Sequence, residues 1–298
     1  MRASTSVLAE LALDALALRV IAALEAAGVP VLLMKGPVTR SWLYADTGGH
    51  PYTDVDLLVA PDHDAAAAGV LRGLGLRDLH AEVLGLYRPP CERAWGGPEG
   101  VVDLHVGLMG VPSARWSEAW HGFAAAAEEF VLHGRAVQVM DERARALHVV
   151  LHAAQRASGP KALADLTAAI DQAPRTVWEG AAALAEGLGA GPAFTAGLDR
   201  DPAGRALLAE LPIRRSATVG SVLQARGARS EALALVAAVE RRTPLRVLLG
   251  VEDPVVPRRR VLRLRLAAAA RLPVAVVQLL GAAAAVARGR RRPGGDPS

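Results

Sequence analysis

The stretch Val31–Val59, VLLMKGPVTRSWLYADTGGHPYTDVDLLV, decides how the rest of the chain is read. It opens as an apolar strand, Val29 to Met34, that ends at Lys35-Gly36, and Pro37 suits the first turn of a short helix because its missing N–H is not needed there. Gly48-Gly49 and Pro51 form a loop that delivers a second apolar strand, opened by Asp54-Val55-Asp56. Alternate residues of a strand share a face, so Asp54 and Asp56 point the same way, about 6.5–7 Å apart. Two readings follow. The acids are either a solvated strand entrance or oxygen ligands for a hard cation such as Mg²⁺, which keeps room for substrate phosphates.

Working outward, Gly100–Leu108, GVVDLHVGL, is a further apolar strand carrying Asp103, with His105 two positions on and on the same face. A carboxylate inside an apolar strand is costly unless it is paired or metal-bound, and a cation shared with Asp54 and Asp56 would meet that need. Of 34 basic residues only Lys35 and Lys161 are lysines. A compact ammonium beside Gly36 suits a point contact to phosphate in a way a guanidinium fork does not.

The runs LLMKG, PYTDVDLLV, VVDLHVGL and LHAAQRASGPKALADL resemble the uncharacterised nucleotidyltransferase family of the polymerase-β-like nucleotidyltransferase superfamily, over roughly Leu24 to Leu166. The resemblance implies a small mixed-sheet α/β (α+β) catalytic domain, 1–145 with its N-terminal helix. An α-helical domain, 146–298, with a basic C-terminal tail would follow. It implies a glycine turn at Gly36 for the triphosphate, an acid pair at Asp54 and Asp56, and a third acid at Asp103, together holding two Mg²⁺ ions, with Mn²⁺ as a substitute. His50 stands where the family often carries arginine, and Pro37 follows Gly36 without an N–H to offer. His105 belongs to the family's Asp-Leu-His, while His152, Lys161 and Asp165 would face the cleft from the helical part. The implied reaction moves a nucleoside monophosphate from an NTP, ATP among them, to a hydroxyl of an acceptor. Similar chains occur among genes for peptide natural products, so the acceptor would be a small molecule or a peptide such as a lasso peptide. Two rivals stand beside this reading: a nucleotide-binding module without turnover, and a nucleic-acid-directed enzyme or binder that uses the arginine-rich tail.

The rest of the chain sets the context. Its 298 residues are 52% hydrophobic and 21% charged, which fits a folded globular protein and excludes a disordered one. The net charge of +4 is concentrated towards the C-terminus. One cysteine, Cys91, excludes an internal disulfide framework and fits a reducing, cytoplasmic setting. Ser6 to Ala27 reads as an amphipathic helix and not as a signal peptide, because acids interrupt it. Pro61 to Arg72 reads as a capped helix with His63 exposed, and Leu76–Tyr87 pairs with Pro90–Trp95 before a turn at Gly96-Gly97. Trp116 and Trp120 share a helical face, as core or as a lid. Arg135–Met140 is a last strand, and Asp141 caps a helix to about Ala157 on which His148 and His152 share a face. Beyond Leu163, prolines at 174, 192, 202 and 212 punctuate helices. The uncharged run Leu272–Ala287, flanked by arginines, is too short to span a bilayer; it reads as a docked helix or as a weak membrane-surface or nucleic-acid contact.

Overall fold

The computed structural model describes residues 2–46, 51–79, 91–155 and 159–213, together with Val277 and Leu280. His50 and nearly all of the basic tail lie outside the described residues.

The two apolar runs of the opening stretch are strands β1 (Val31–Leu33) and β2 (Val55–Val59), and every residue of both is buried. Complete burial follows from layers packed on both sides of the sheet, as continuous apolar runs predict. β1 and β2 are antiparallel, with Val31 opposite Val59 and Leu33 opposite Leu57. Between them, α2 (Pro37–Leu43) starts at the proline. Helix α1 (Arg2–Ala26) precedes β1, and Gly28, at φ 72, turns the chain out of it.

Strands β3 (Arg77–Asp78), β4 (Glu92–Gly97), β5 (Gly100–His105), β6 (Glu128–Leu132) and β7 (Arg135–Val139) complete a seven-stranded mixed sheet of order β3-β4-β5-β2-β1-β7-β6. β5 lies parallel to β2, so Asp56 is directly opposite Asp103 and Leu58 opposite His105. One face of the sheet, with Leu33, Val55, Leu57, Val102 and Leu104, packs on Leu16, Val20 and Leu24 of α1 and on Leu71 of α3 (Asp64–Gly73). The other face sends Leu32, Met34 and Leu58 into a second core shared with α4 (Trp116–Ala125) and with a run of helices α5 (Glu142–Ala154), α6 (Gly159–Gln172), α7 (Arg175–Gly187), α8 (Gly191–Leu198) and α9 (Pro202–Glu210). Period two places Asp56, Asp103 and His105 on this second face, under the helices.

The helix boundaries follow the punctuation. Asp141 accepts a hydrogen bond from the Ala144 N–H at the start of α5, Pro174 precedes α7, and Asp201 caps α9 through Ala203 and Gly204. Trp116 and Trp120 are core residues: both are buried, and the Trp116 indole donates to the Val111 carbonyl. α8 crosses α5 so closely that a Cβ on Gly197 would stand 2.2 Å from the Val150 carbonyl oxygen.

Several expectations are corrected. β2 starts at Val55, so Asp54 is the last loop residue and not the first strand residue. Gly96 and Gly97 belong to β4, where Leu79 and Leu76 occupy the space a Cβ would need, and the turn falls at Pro98-Glu99 instead. Strand β6 is an addition to the reading. His63 is half-buried, its Nδ1 enclosed without a hydrogen-bond partner, because the 3₁₀ turn Pro61–His63 packs against α4.

Candidate active site

A cleft of about 370 Å³ opens between the second sheet face and helices α5 and α6, within the range of small-ligand sites. Lys35, Gly36, Asp54, Asp56, Asp103, His105, His152, Lys161 and Asp165 all line it. The end of β1 supplies Lys35, the turn after it Gly36, the loop before β2 Asp54, the parallel pair β2 and β5 Asp56 and Asp103, and the helical side His152, Lys161 and Asp165.

Asp56 is the centre of the arrangement. Only 4% of it is exposed, and its Oδ1 accepts from Lys35 Nζ at 2.6 Å and lies 3.0 Å from His105 Nε2. Burial alone would raise its pKa, but the Lys35 ammonium and the His105 contact outweigh burial and hold the carboxyl far below the usual range. Lys35 answers in kind: burial disfavours its charge, the Asp56 carboxylate restores it, and the net direction is up. The Asp103 carboxyl is pushed up to about 6, first by burial and then by the negative charge of Asp56. Asp54 is raised too, again by burial first and Asp56 second. The sheet wall of the cleft therefore holds more negative charge than its own cations neutralise.

The loop before Asp54 is fixed from three directions. Lys161 Nζ donates to the Pro51 carbonyl at 2.9 Å. The Tyr52 ring packs against Gly36, where a Cβ would meet it at 3.3 Å, and the Tyr52 hydroxyl donates to Asp14 of α1. Gly36 itself sits at φ 62, the left-handed region that glycine tolerates without a steric cost. On the helical side Asp165 accepts from the Tyr44 hydroxyl at 2.8 Å. His148 and His152 stand one turn apart on α5 with ring centroids 6.1 Å apart and planes only 3° from parallel.

Sequence reasoning left several lining residues out of the site, among them Glu92, Tyr52 and His148. Glu92 faces His105 across the β4–β5 ladder, its Oε2 3.7 Å from His105 Nδ1. Only the register of that pair reveals it. Tyr52 and His148 also line the cleft; the helical spacing of His148 and His152 was the signal for the latter.

The donor chemistry fits a divalent cation: three carboxylates, hard oxygen ligands, in a cleft short of positive charge. Among the described residues, no three His, Cys, Asp or Glu side chains are already gathered tightly enough to hold one ion. The Lys35 ammonium instead occupies one oxygen of the central acid.

No curated protein matches the chain. Among solved structures, it is similar to the solution structure of the antibiotic-resistance factor ANT(2'')-Ia, at 15% identity over 59% of this chain and 93% of that one, with a TM-score of 0.42. The crystal structure of ANT(2'')-Ia in complex with adenylyl-2''-tobramycin matches at 13% identity over 58% and 97%, with a TM-score of 0.40. An antigenic nucleotidyltransferase-like protein from Paracoccidioides brasiliensis matches at 16% identity over 63% and 92%, with a TM-score of 0.37. The model of the family described as "Uncharacterised nucleotidyltransferase" matches residues 2–199, well over half of the chain, and the protein therefore belongs to that nucleotidyltransferase family.

Proposed function

We propose that the protein transfers a nucleoside monophosphate from an NTP to a hydroxyl of an acceptor in a metal-dependent reaction, with Asp54, Asp56 and Asp103 as the acidic set. The observation that carries this reading is the parallel register that sets Asp56 opposite Asp103 above a cleft also lined by Asp54 and Lys35. Magnesium held by these carboxylates would neutralise the triphosphate and the developing charge on the attacking and leaving oxygens. Lys35 steadies phosphate charge from the β1 end, and its pairing with Asp56 keeps that acid ionised before substrate arrives. Asp103, with its carboxyl raised to about 6, is the group to receive the proton of the acceptor hydroxyl. His105 orients Asp56 and is itself flanked by Glu92.

In this reading residues 1–145 are the catalytic domain and 146–298 the helical domain, whose described helices cover the cleft with His152, Lys161 and Asp165 on their inner side. The acceptor is a small molecule or a natural-product peptide such as a lasso peptide, and ATP is the first NTP to try. The buried Cys91 thiol favours a cytoplasmic setting. No helix among the described residues is long and apolar enough to cross a membrane. The test is incubation of pure protein with each NTP, Mg²⁺ and a cell extract, read by mass spectrometry. The expected result is pyrophosphate release with a nucleotidylated product; nucleotide binding without pyrophosphate release would leave only a binding module.

A further inference from the structure

We infer that Glu92 is the specificity residue for the acceptor and receives a cationic nitrogen, an ammonium or guanidinium, that the acceptor carries near its reactive hydroxyl. This rests on the nucleotidyl-transfer reading above.

Strand register places the residue. β4 runs antiparallel to β5, with Ala94 opposite Asp103 and Glu92 opposite His105. Directly paired residues share a sheet face, so Glu92 and Ala94 look towards the cleft with Asp103 and His105, and Glu92 lines it. Glu92 and Asp103 are diagonal neighbours on that face, with α-carbons ~7–8 Å apart. On its other flank Asp103 faces Asp56, the acid that Lys35 holds. An acceptor hydroxyl at Asp103 therefore has the phosphate-side groups on one flank and β4 on the other. Ala94 fills the β4 flank with a methyl group alone, so the body of an acceptor can pass over it and meet Glu92. Leu108 and Met109, which follow His105 out of β5, and Leu151 on α5 also line the cleft and give apolar contact to a carbon skeleton.

The chemistry of this end selects a cation. The Glu92 side chain is 36% exposed, and the one basic group within ion-pair reach of it among the described residues is His105, whose Nδ1 stands 3.7 Å away, beyond hydrogen-bond length. The other nitrogen of that ring is in contact with Asp56. Both lysines of the cleft are engaged elsewhere, Lys35 on Asp56 and Lys161 on the Pro51 carbonyl. Arg93, the next residue of β4, points to the opposite face and donates to Asp64. A magnesium-bound triphosphate brings its own counter-charge and supplies no partner to Glu92. A carboxylate partly removed from water without a matching cation is a cost, and a positively charged ligand turns that cost into affinity. A neutral acceptor leaves it in place, and an anionic one adds repulsion.

The experiment uses three probes of matched length: 4-amino-1-butanol, 1-pentanol and 5-hydroxypentanoate, which end in an ammonium, a methyl and a carboxylate. Binding is titrated by saturation-transfer NMR with Mg²⁺ and a non-hydrolysable analogue of the NTP that the protein binds best. The amino alcohol should bind most tightly and the hydroxypentanoate least. Glu92→Gln should weaken the amino alcohol about tenfold, the scale of one charge-assisted hydrogen bond, and leave pentanol unchanged. Glu92→Asp keeps the charge and should keep the ranking. Equal losses for amino alcohol and pentanol, or none for either, overturn the assignment. The unmutated protein covers the case in which a variant folds poorly: if the amino alcohol binds no better than pentanol, or does not bind, the assignment also falls. The affinity for the Mg²⁺-bound analogue, measured by calorimetry, should be the same in Glu92→Gln; a drop there gives Glu92 to the metal and overturns the assignment. In a cell extract, the nucleotidylated product should carry a basic nitrogen on its acceptor part, and an acceptor without one is a contrary result. If the unmutated protein binds no NTP analogue at all, the nucleotidyl-transfer reading itself fails; if it binds the analogue and shows no preference for the cation, only the role of Glu92 does.

Discussion

The two walls of the cleft are built on opposite electrostatic plans. The sheet wall gathers Asp54, Asp56 and Asp103 beside Lys35, and burial first and the Asp56 charge second make Asp103 and Asp54 resist ionisation, while the Lys35 ammonium and the His105 contact hold Asp56 ionised. The helical wall does the reverse and holds His148 and His152 without charge. The lesson is that burial acts on both walls in the same sense, against charge, and the partners decide the outcome. Asp56 has Lys35 and His105 within 3.0 Å and stays ionised, whereas burial first and the Lys35 charge second favour the neutral form of both imidazoles.

The contrast is broken most severely from the acid side. Replacing Asp54 and Asp56 together with Asn should cost at least about 10³-fold in transfer rate, the scale of several kcal/mol of lost charge stabilisation. The same change should erase any Mg²⁺-dependent rise in melting temperature, measured by thermal shift; a normal rise would move the metal site elsewhere.

Next in size, Asp103→Asn should stop transfer by about 10²-fold or more with nucleotide affinity nearly intact, measured by single-turnover kinetics beside calorimetry. This variant also sharpens the electrostatic argument through pH. A carboxyl raised from 3.8 to about 6 on folding makes the native state bind more protons than the unfolded one between those values. Its contribution to stability is present below about pH 4 and is lost as pH rises towards 6. Without metal at pH 7, Asp103→Asn should therefore melt higher than the parent by a few degrees, at ~2–4 °C per kcal/mol for a chain of this size. A melting temperature that falls instead would assign Asp103 to structure.

The helical wall is tested at Gly197, whose α-carbon lets α8 approach the helix that carries both histidines. Gly197→Ala should destabilise by about 1–3 kcal/mol in urea, because the new methyl meets a backbone oxygen and not a movable side chain. The smallest effect is expected at Tyr52. Tyr52→Phe removes a buried hydroxyl donor from Asp14 and should cost about 1–2 kcal/mol while transfer falls only a fewfold.

The sheet wall was legible in the sequence and the helical wall much less so, for a physical reason. Period two fixes the face of Asp103 and His105 once the strand is recognised, and the apolar runs around Asp56 and Asp103 leave little doubt that they are strands. Prolines 37, 174, 192 and 202 likewise fall at or beside helix starts, because a missing N–H is harmless there. Glu92 could not be found in this way, since its place beside His105 depends on pairing between strands and not on pattern within one. Strand β6 opens with Glu128 and Glu129 at the sheet edge and keeps four of its five residues at least partly exposed, so its apolar signal is thin. His148 lies among valines and a leucine that could equally face a core, and only packing shows which side of α5 meets the cleft.

Tyr52 has one more consequence. Its ring fills the gap between the Gly36 turn and the loop that ends at Asp54, and its hydroxyl is pinned to the N-terminal helix. The ring is a rigid plate of fixed thickness, so the separation between the turn that would receive phosphate and the loop that would carry a metal ligand is gauged by covalent geometry. A flexible aliphatic side chain in the same gap would leave that separation to thermal motion. Two halves of a reaction centre that arise from different strands are thereby held in step by one side chain that takes no part in the chemistry.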